Sequence, residues 1–220
     1  MSLFDRFISI IAPFECLGCR REGKLLCEGC ASDLRKIPSR CYRCHKLTDT
    51  YRVCKSCRKV SKLYGVHPIT VYEGTAKDLV GRLKFYGAQS AAIEIASLFL
   101  RDNLPKDAYI VPIPTASSRA RQRGYDQAKL IARALARSSS LPYLDCLARS
   151  GQSHQVGAKR AQRLKQLKNA YRIKNHMDLS NKNIVLIDDV LTTGSTLEAA
   201  AACLKIYGAK RVYGQVFAQA

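Results

Sequence analysis

Long apolar runs are missing from this 220-residue chain. None approaches the roughly 20 residues that a helix needs to cross a bilayer, which excludes a helical membrane span. The apolar opening stretch, SLFDRFISIIAPF, is interrupted by Asp5 and Arg6, and no small-residue cleavage site follows it. It therefore reads as an amphipathic helix with Phe4, Phe7, Ile8 and Ile11 on one face, packed against the body of the protein, and not as an export signal. The location expected from this is cytoplasmic. Acidic residues are also scarce: 17 Asp and Glu stand against 37 Lys and Arg, a formal net charge of +20. The shortage is local. Residues 113–176 hold 14 Lys and Arg but only Asp126 and Asp145, and residues 1–67 carry +8, while 68–112 and 177–220 are neutral. So many uncompensated cations repel one another unless a polyanion meets them. Nucleic acid, pyrophosphate or both are the expected partners.

Cysteine, by contrast, is plentiful. Eight of the ten cysteines form four C-x-x-C pairs: Cys16 with Cys19, Cys27 with Cys30, Cys41 with Cys44, and Cys54 with Cys57. Two thiolates on one tight turn can grip a single tetrahedral ion, and two such turns complete a four-cysteine site. Two structural Zn2+ ions are the expected cofactors. Disulfides would need an oxidising compartment, and four copies within 42 residues argue against a redox pair. Sequential pairing puts Cys16, Cys19, Cys27 and Cys30 on one ion and Cys41, Cys44, Cys54 and Cys57 on the other. A cross-brace would alternate the pairs. The sequential arrangement closes shorter loops and is preferred. Cys146 and Cys203 lie in apolar contexts and read as buried residues.

Residues 183–196, NIVLIDDVLTTGST, carry the most chemistry. Ile184 to Ile187 suit a strand buried on both faces. Asp188 and Asp189 follow, and a helix pattern begins near Leu197, with Ala201 and Leu204 in phase and Gly208 as its stop. A hydroxyl-rich turn at a helix N-terminus binds phosphate, because free N–H groups and the helix dipole both point at it. Two carboxylates at a strand end can hold a sugar diol. Together they describe a site for a ribose 5-phosphate. Helix capping alone accounts for one or two such residues, not for the whole run.

Elsewhere, VHPITVYEG reads as a strand, TAKDLVGRLKFYG as a helix with Leu79 and Leu83 in phase, and residues 88–104 as a longer helix ended by Pro105. YIVPIP (109–114) is a second buried strand, helical periodicity runs from about Tyr125 through Ala128, Ile131 and Leu135, and PYLDCLAR (142–149) is a third strand. Residues 150–170 suit a loop over a site, and RVYGQVFA closes the chain as a strand. Strands alternating with helices predict an α/β fold with a parallel sheet flanked by helices. Ligands of such sheets sit beyond the strand carboxyl ends, which brings Pro114–Gly124 and Asp188–Thr196 to one crevice. The expected division is a small zinc-binding module with two four-cysteine sites at 1–62 and the α/β domain at 63–220.

The DD-TTGST segment resembles the motif by which type I phosphoribosyltransferases bind 5-phosphoribosyl 1-pyrophosphate (PRPP). Taken together, the double zinc-ribbon module, VPIP with R-x-R-x-R-G-Y-D-Q-A, the segment holding Gln155, Arg160 or Arg163, Asn169, Ala170 and Tyr171, and VLIDDVLTTGST resemble the ComF family, which is linked to DNA uptake in natural competence. Asp126 departs from it, standing where Asn is common. The resemblance implies a type I phosphoribosyltransferase-like domain that binds PRPP with Mg2+. Asp188 and Asp189 would orient the ribose at the catalytic position. Leu191, Thr192, Thr193, Gly194, Ser195 and Thr196 would hold the 5-phosphate, and Arg119 would face the pyrophosphate. It also implies single-stranded DNA as a partner, met by Arg121, Arg123, Lys159, Arg160 and Arg163, and a competence helicase or translocase. No segment announces a group that reads a nucleobase edge. Three functions therefore stay open: DNA handling, nucleotide-salvage transfer, and PRPP-sensing regulation.

Overall fold

The computed structural model describes residues 14–85, 88–100, 104–115, 123–150, 170–174 and 177–220. The expected N-terminal helix and the 151–169 segment lie outside them. The strands, in chain order, are β1 (Gly65–Val71), β2 (Ala108–Pro112), β3 (Leu147–Arg149), β4 (Tyr171–Ile173), β5 (Asn183–Leu191) and β6 (Arg211–Gln219). The helices are α1 (Glu28–Ser32), α2 (Lys55–Arg58), α3 (Gly74–Arg82), α4 (Ala88–Leu100), α5 (Gln127–Ser138) and α6 (Ser195–Ile206). Four strands form a parallel sheet in the order β1-β6-β5-β2.

Successive side chains of a strand point to opposite faces, and β5 uses both. Ile184 and Leu186 join one core cluster with Leu197, Ala200, Ala201 and Leu204 of α6. Val185 and Ile187 join the other, with Leu79 and Leu83, Ile95 and Phe99, and Ile131 and Leu135 from the opposite helical layer. All four β5 residues are buried, and each such side chain contributes roughly 1.5–3 kcal/mol. This explains why a continuous apolar run, not an alternating one, marks the central strand. The turn after α6 also follows the sequence: Gly208 adopts φ +91° just beyond the helix, a left-handed cap that suits glycine.

One expected strand is corrected. Residues 142–149 do not add a full strand to the sheet. Tyr143 makes a single parallel bridge to Ile110, and the chain then turns away so that β3 pairs antiparallel with β4. Polar anchoring of this detour explains the departure from periodicity. Asp145 accepts from Lys129 Nζ at 2.9 Å and from Lys174 Nζ at 2.5 Å. Burial alone would raise the Asp145 carboxyl, but bonds from Lys174 and Lys129 outweigh it and hold the group below its ordinary range.

The N-terminal segment contributes to both cores. Leu25 and Leu26 pack on the α3 and α4 side, whereas Cys41, Tyr42, Val53 and Leu63 pack on the α6 side. Among the described residues no helix is long and apolar enough to cross a membrane.

Candidate functional site

β2 ends at Pro112 while its neighbour β5 runs on to Leu191. The last bond between them is Ile113 N–H to the Ile187 carbonyl at 3.0 Å. Asp188 therefore emerges beside the point where the chain leaves β2, at the carboxyl end of the sheet. Asp126, which stands where Asn is common in the family this chain resembles, holds the chain just after β2 at Thr115. Asp126 caps α5 by accepting from Lys129 N–H at 3.3 Å, and its other oxygen accepts from Thr115 N–H at 2.8 Å. Two donors for two oxygens give a carboxylate a structural role here that an amide oxygen fills only in part.

Asp188 Oδ1 accepts from Asp189 N–H at 3.0 Å, and Asp189 Oδ1 from Val190 N–H at 2.8 Å. Burial first, and the Asp189 charge second, push the Asp188 carboxyl well above its ordinary range, with Asp126 adding to the effect. Asp188 is half-buried as a residue, but its carboxyl group is the enclosed part. Tyr171 is drawn into the same environment: burial pushes its hydroxyl up to about 12, Arg149 opposes this, and Asp188 and Asp126 reinforce it.

The turn into α6 leaves helix donors open. Gly194 is the N-cap with φ +74° and has no side chain to offer. Thr193 Oγ1 donates to Ser195 Oγ at 3.0 Å and accepts only a long bond, 3.4 Å, from Ser195 N–H. Thr192, Thr193, Ser195 and Thr196 are exposed, while Leu191 and Gly194 are buried. A glycine-capped N-terminus of a 12-residue helix, flanked by four hydroxyls, is suited to an anion. Of the remaining expected residues, Arg123 donates to Gln127 Oε1 at 2.9 Å. Arg119, Arg121, Lys159, Arg160 and Arg163 lie outside the described residues.

The cysteines group as the sequential pairing predicts: Cys16, Cys19, Cys27 and Cys30 in one cluster, and Cys41, Cys44, Cys54 and Cys57 in the other, the ligand atoms of each within 4.8 Å of one another. The two clusters are built alike. Arg20 and His45, just after the first pair of each, take φ +64° and +60°. Cys27 and Cys54 are the N-caps of α1 and α2, so the second pair of each cluster sits at a helix's first turn, where Cys30 is pushed up to about 12 by the Cys27 and Cys16 thiols and Cys57 to about 12 by burial and the Cys54 thiol. Burial opposes ionisation of Cys16, yet backbone N–H groups of Cys27, Cys19 and Gly18 bring it down to about 6. Cys54 is also lowered to about 6, by the Ser56 hydroxyl and then the Cys57 N–H. Four convergent thiols with backbone support fit a tetrahedral soft ion, and both clusters could hold zinc.

Two residues that sequence reasoning missed connect the second cluster to the phosphate turn. Tyr42, between Cys41 and Cys44, packs closely on Gly194: a Cβ there would meet Tyr42 Cε2 at 2.5 Å and Cδ2 at 2.9 Å. Its hydroxyl donates to Glu198 in the first turn of α6. Glu198 Oε1 also accepts from Ser61 Oγ at 2.5 Å and Arg43 Nη1 at 3.2 Å, and Oε2 accepts from Lys62 N–H at 2.9 Å. Burial, then the Glu198 bond, pushes the Tyr42 hydroxyl upward. The available signal was weak: an aromatic at a knuckle tip, and an acid that reads as ordinary helix-start composition. Gly194→Ala is accordingly expected to cost about 1–3 kcal/mol, from a strained positive φ and the Tyr42 clash. Gly81→Ala, with open space around it in α3, should be neutral or stabilising by roughly 0.4–1 kcal/mol. Urea denaturation midpoints compare the two.

The phosphoribosyl transferase domain family matches residues 122–218. Competence protein ComFC of Bacillus subtilis is 31% identical, over 81% of this chain and 77% of its own. Competence protein F of Haemophilus influenzae is 26% identical, over 90% and 94%. DNA utilization protein YhgH of Escherichia coli K12 is 26% identical, over 85% and 87%. A glutamine PRPP amidotransferase structure from B. subtilis overlaps 58% of this chain and 26% of its own, at 16% identity and a TM-score of 0.44. On the curated relatives, the chain belongs to the ComFC family of competence and DNA utilization proteins, with a phosphoribosyltransferase-like domain.

Proposed function

We propose that the crevice beyond β5 binds PRPP together with Mg2+, and that the protein handles incoming single-stranded DNA in the cytoplasm. The observation that carries the ligand assignment is the pairing of Asp188 and Asp189 with a glycine-capped, hydroxyl-rich helix N-terminus only a few residues away. The carboxylates accept from the ribose hydroxyls and orient the sugar. Thr192 to Thr196, with the backbone at Leu191, surround the 5-phosphate. Arg119 faces the pyrophosphate, whose charge Mg2+ shields through phosphate oxygens. If transfer occurs, fixed placement of the sugar and neutralisation of the leaving pyrophosphate are the protein's contribution. The DNA reading is supported by the names of the relatives and by the basic 113–176 stretch, in which Arg121, Arg123, Lys159, Arg160 and Arg163 would meet phosphates. A competence helicase or translocase is the proposed protein partner. Two structural zinc ions occupy the four-cysteine clusters of a 1–62 module that packs on the 63–220 domain.

Calorimetric titration of PRPP with Mg2+ tests the pocket. One site per chain is expected, with affinity falling at least tenfold in Thr193→Val; equal heats in both proteins contradict the assignment. Oligonucleotide binding measured against salt tests the second part. A negative log–log slope is expected from counterion release, and a slope near zero removes phosphate contacts as the source of affinity.

A further inference from the structure

A second site lies away from the phosphate turn. A cavity of about 270 Å3 opens beside the N-terminal ends of β1 and β6 and reaches Gln215 in mid-strand. Its wall is aromatic: Tyr64 and Tyr213 pack at 5.1 Å between ring centroids, and Tyr51 stacks on His67 at 3.9 Å. Three guanidinium groups surround the half-buried Tyr64 ring, Arg58 at 4.6 Å, Arg211 at 4.8 Å and Arg52 at 5.5 Å from its centroid. None of the three is in an ion pair among the described residues. The Tyr64 ring face attracts these cations, and with no acid among them their mutual repulsion leaves the cluster receptive to an anion. Nearby Lys205 feels the same excess: burial, then Lys62 and Arg211, lower its proton affinity.

Gln215 is the independent sign of a ligand. It lines the cavity and is only 4% exposed, and its Nε2 has no hydrogen-bond partner. A buried unpaired amide donor is costly, and an acceptor delivered from outside relieves it. An aromatic wall, the Arg52 and Arg211 guanidinium groups without an acid, and one buried donor at the end match a nucleotide in three respects: a ring to pack against the wall, a phosphate to neutralise, and an exocyclic oxygen to accept. The volume falls just below the roughly 300 Å3 where drug-sized pockets begin, which suits one base and not two.

We propose that this cavity takes a single nucleotide unit whose base bears an oxo group, with Arg52 and Arg211 on the phosphate and Gln215 on the base. This rests on the single-stranded DNA reading above and adds to it a place where one unit of the strand is held. It is distinct from the 113–176 residues assigned there.

The test is fluorescence anisotropy with labelled oligodeoxythymidylate, dT12, on the full chain. Arg211→Glu, on the surface, is expected to weaken binding at least tenfold. Gln215→Leu, which removes no charge, is expected to weaken dT12 at least threefold while leaving dA12 nearly unchanged, with thermal midpoints confirming that both variants fold. Unlabelled dTMP then separates the sources: competition at millimolar concentration means that the cavity accepts free nucleotide as well as strand, and no competition means that it requires the strand. If wild type binds dT12 and both variants bind it equally well, this site is wrong while the DNA reading survives. If wild type binds neither dT12 nor dTMP, both fall.

Discussion

Cys54→Ser combined with Cys57→Ser is expected to weaken PRPP binding at least tenfold, although neither cysteine belongs to the phosphate turn. The chain of contacts runs from the second four-cysteine cluster through its knuckle. Tyr42 and Arg43 lie between two ligands of that cluster, and Ser61 and Lys62 follow the last one. All four donate to Glu198, and the Tyr42 ring covers Gly194. With half its ligands gone, the cluster cannot close around an ion, and the knuckle loses what fixes its shape. The Glu198 side chain, 17% exposed, is then left without most of its partners. Breaking up such a partnered, largely buried carboxylate costs about 3–5 kcal/mol. The readouts are the urea midpoint, bound zinc per chain (expected to fall from two to one) and PRPP affinity. Cys16→Ser with Cys19→Ser is the informative contrast. That cluster packs toward Thr75 and the α3 layer, so stability should drop while PRPP affinity per folded molecule is kept. Equal affinity losses in both double variants would show that the link through Glu198 is not what matters.

Asp188→Asn is expected to separate stability from binding. Burial and the Asp189 charge raise the Asp188 carboxyl in the folded protein, so the folded state holds that proton more tightly than the unfolded chain does. Above the ordinary carboxylate range the ionised group therefore opposes folding. The penalty is absent below the ordinary carboxyl value of 3.8 and grows as pH rises from there toward the raised folded value. Asparagine removes it. A stability gain is therefore expected at pH 7, shrinking toward zero near pH 4. PRPP affinity should fall at least tenfold in the same protein, because the sugar loses a charged acceptor. A variant that is no more stable at pH 7, or that binds PRPP normally, contradicts this account of Asp188. Such a trade is common where a site is built from groups the fold would otherwise exclude.

Much of this architecture was readable from residue order. The apolar run at 184–187 marked the central strand because a parallel sheet buries both faces of it. The spacing of Leu197, Ala201 and Leu204 placed α6, and all three are buried. The Cys-x-x-Cys pairs were legible because ligand spacing is local. What escaped depends on contacts across long separations. Tyr42 and Glu198 lie 156 positions apart, and nothing local distinguishes either from a loop aromatic or a helix-start acid. Asp126 looked like a misplaced charge until Thr115 N–H and the α5 N-terminus supplied its partners. Segment 142–149 had strand composition throughout, but two lysines that hold Asp145 decide where the chain goes. The aromatic and arginine cavity was hidden for the same reason: its members come from the second cysteine cluster's segment, the start of β1 and the Arg211, Tyr213 and Gln215 positions of β6.

The most direct measurement is the backbone amide spectrum of the isotopically labelled protein during titration with ribose 5-phosphate, with and without Mg2+. The arrangement of β5 and α6 predicts that the amide signals of Thr193, Gly194, Ser195 and Thr196 shift together and saturate, accompanied by Asp189 and by the Tyr42 knuckle that rests on the turn. Shifts confined to other parts of the chain, or none at saturating ligand, would contradict the claim that this turn is a phosphoribosyl site.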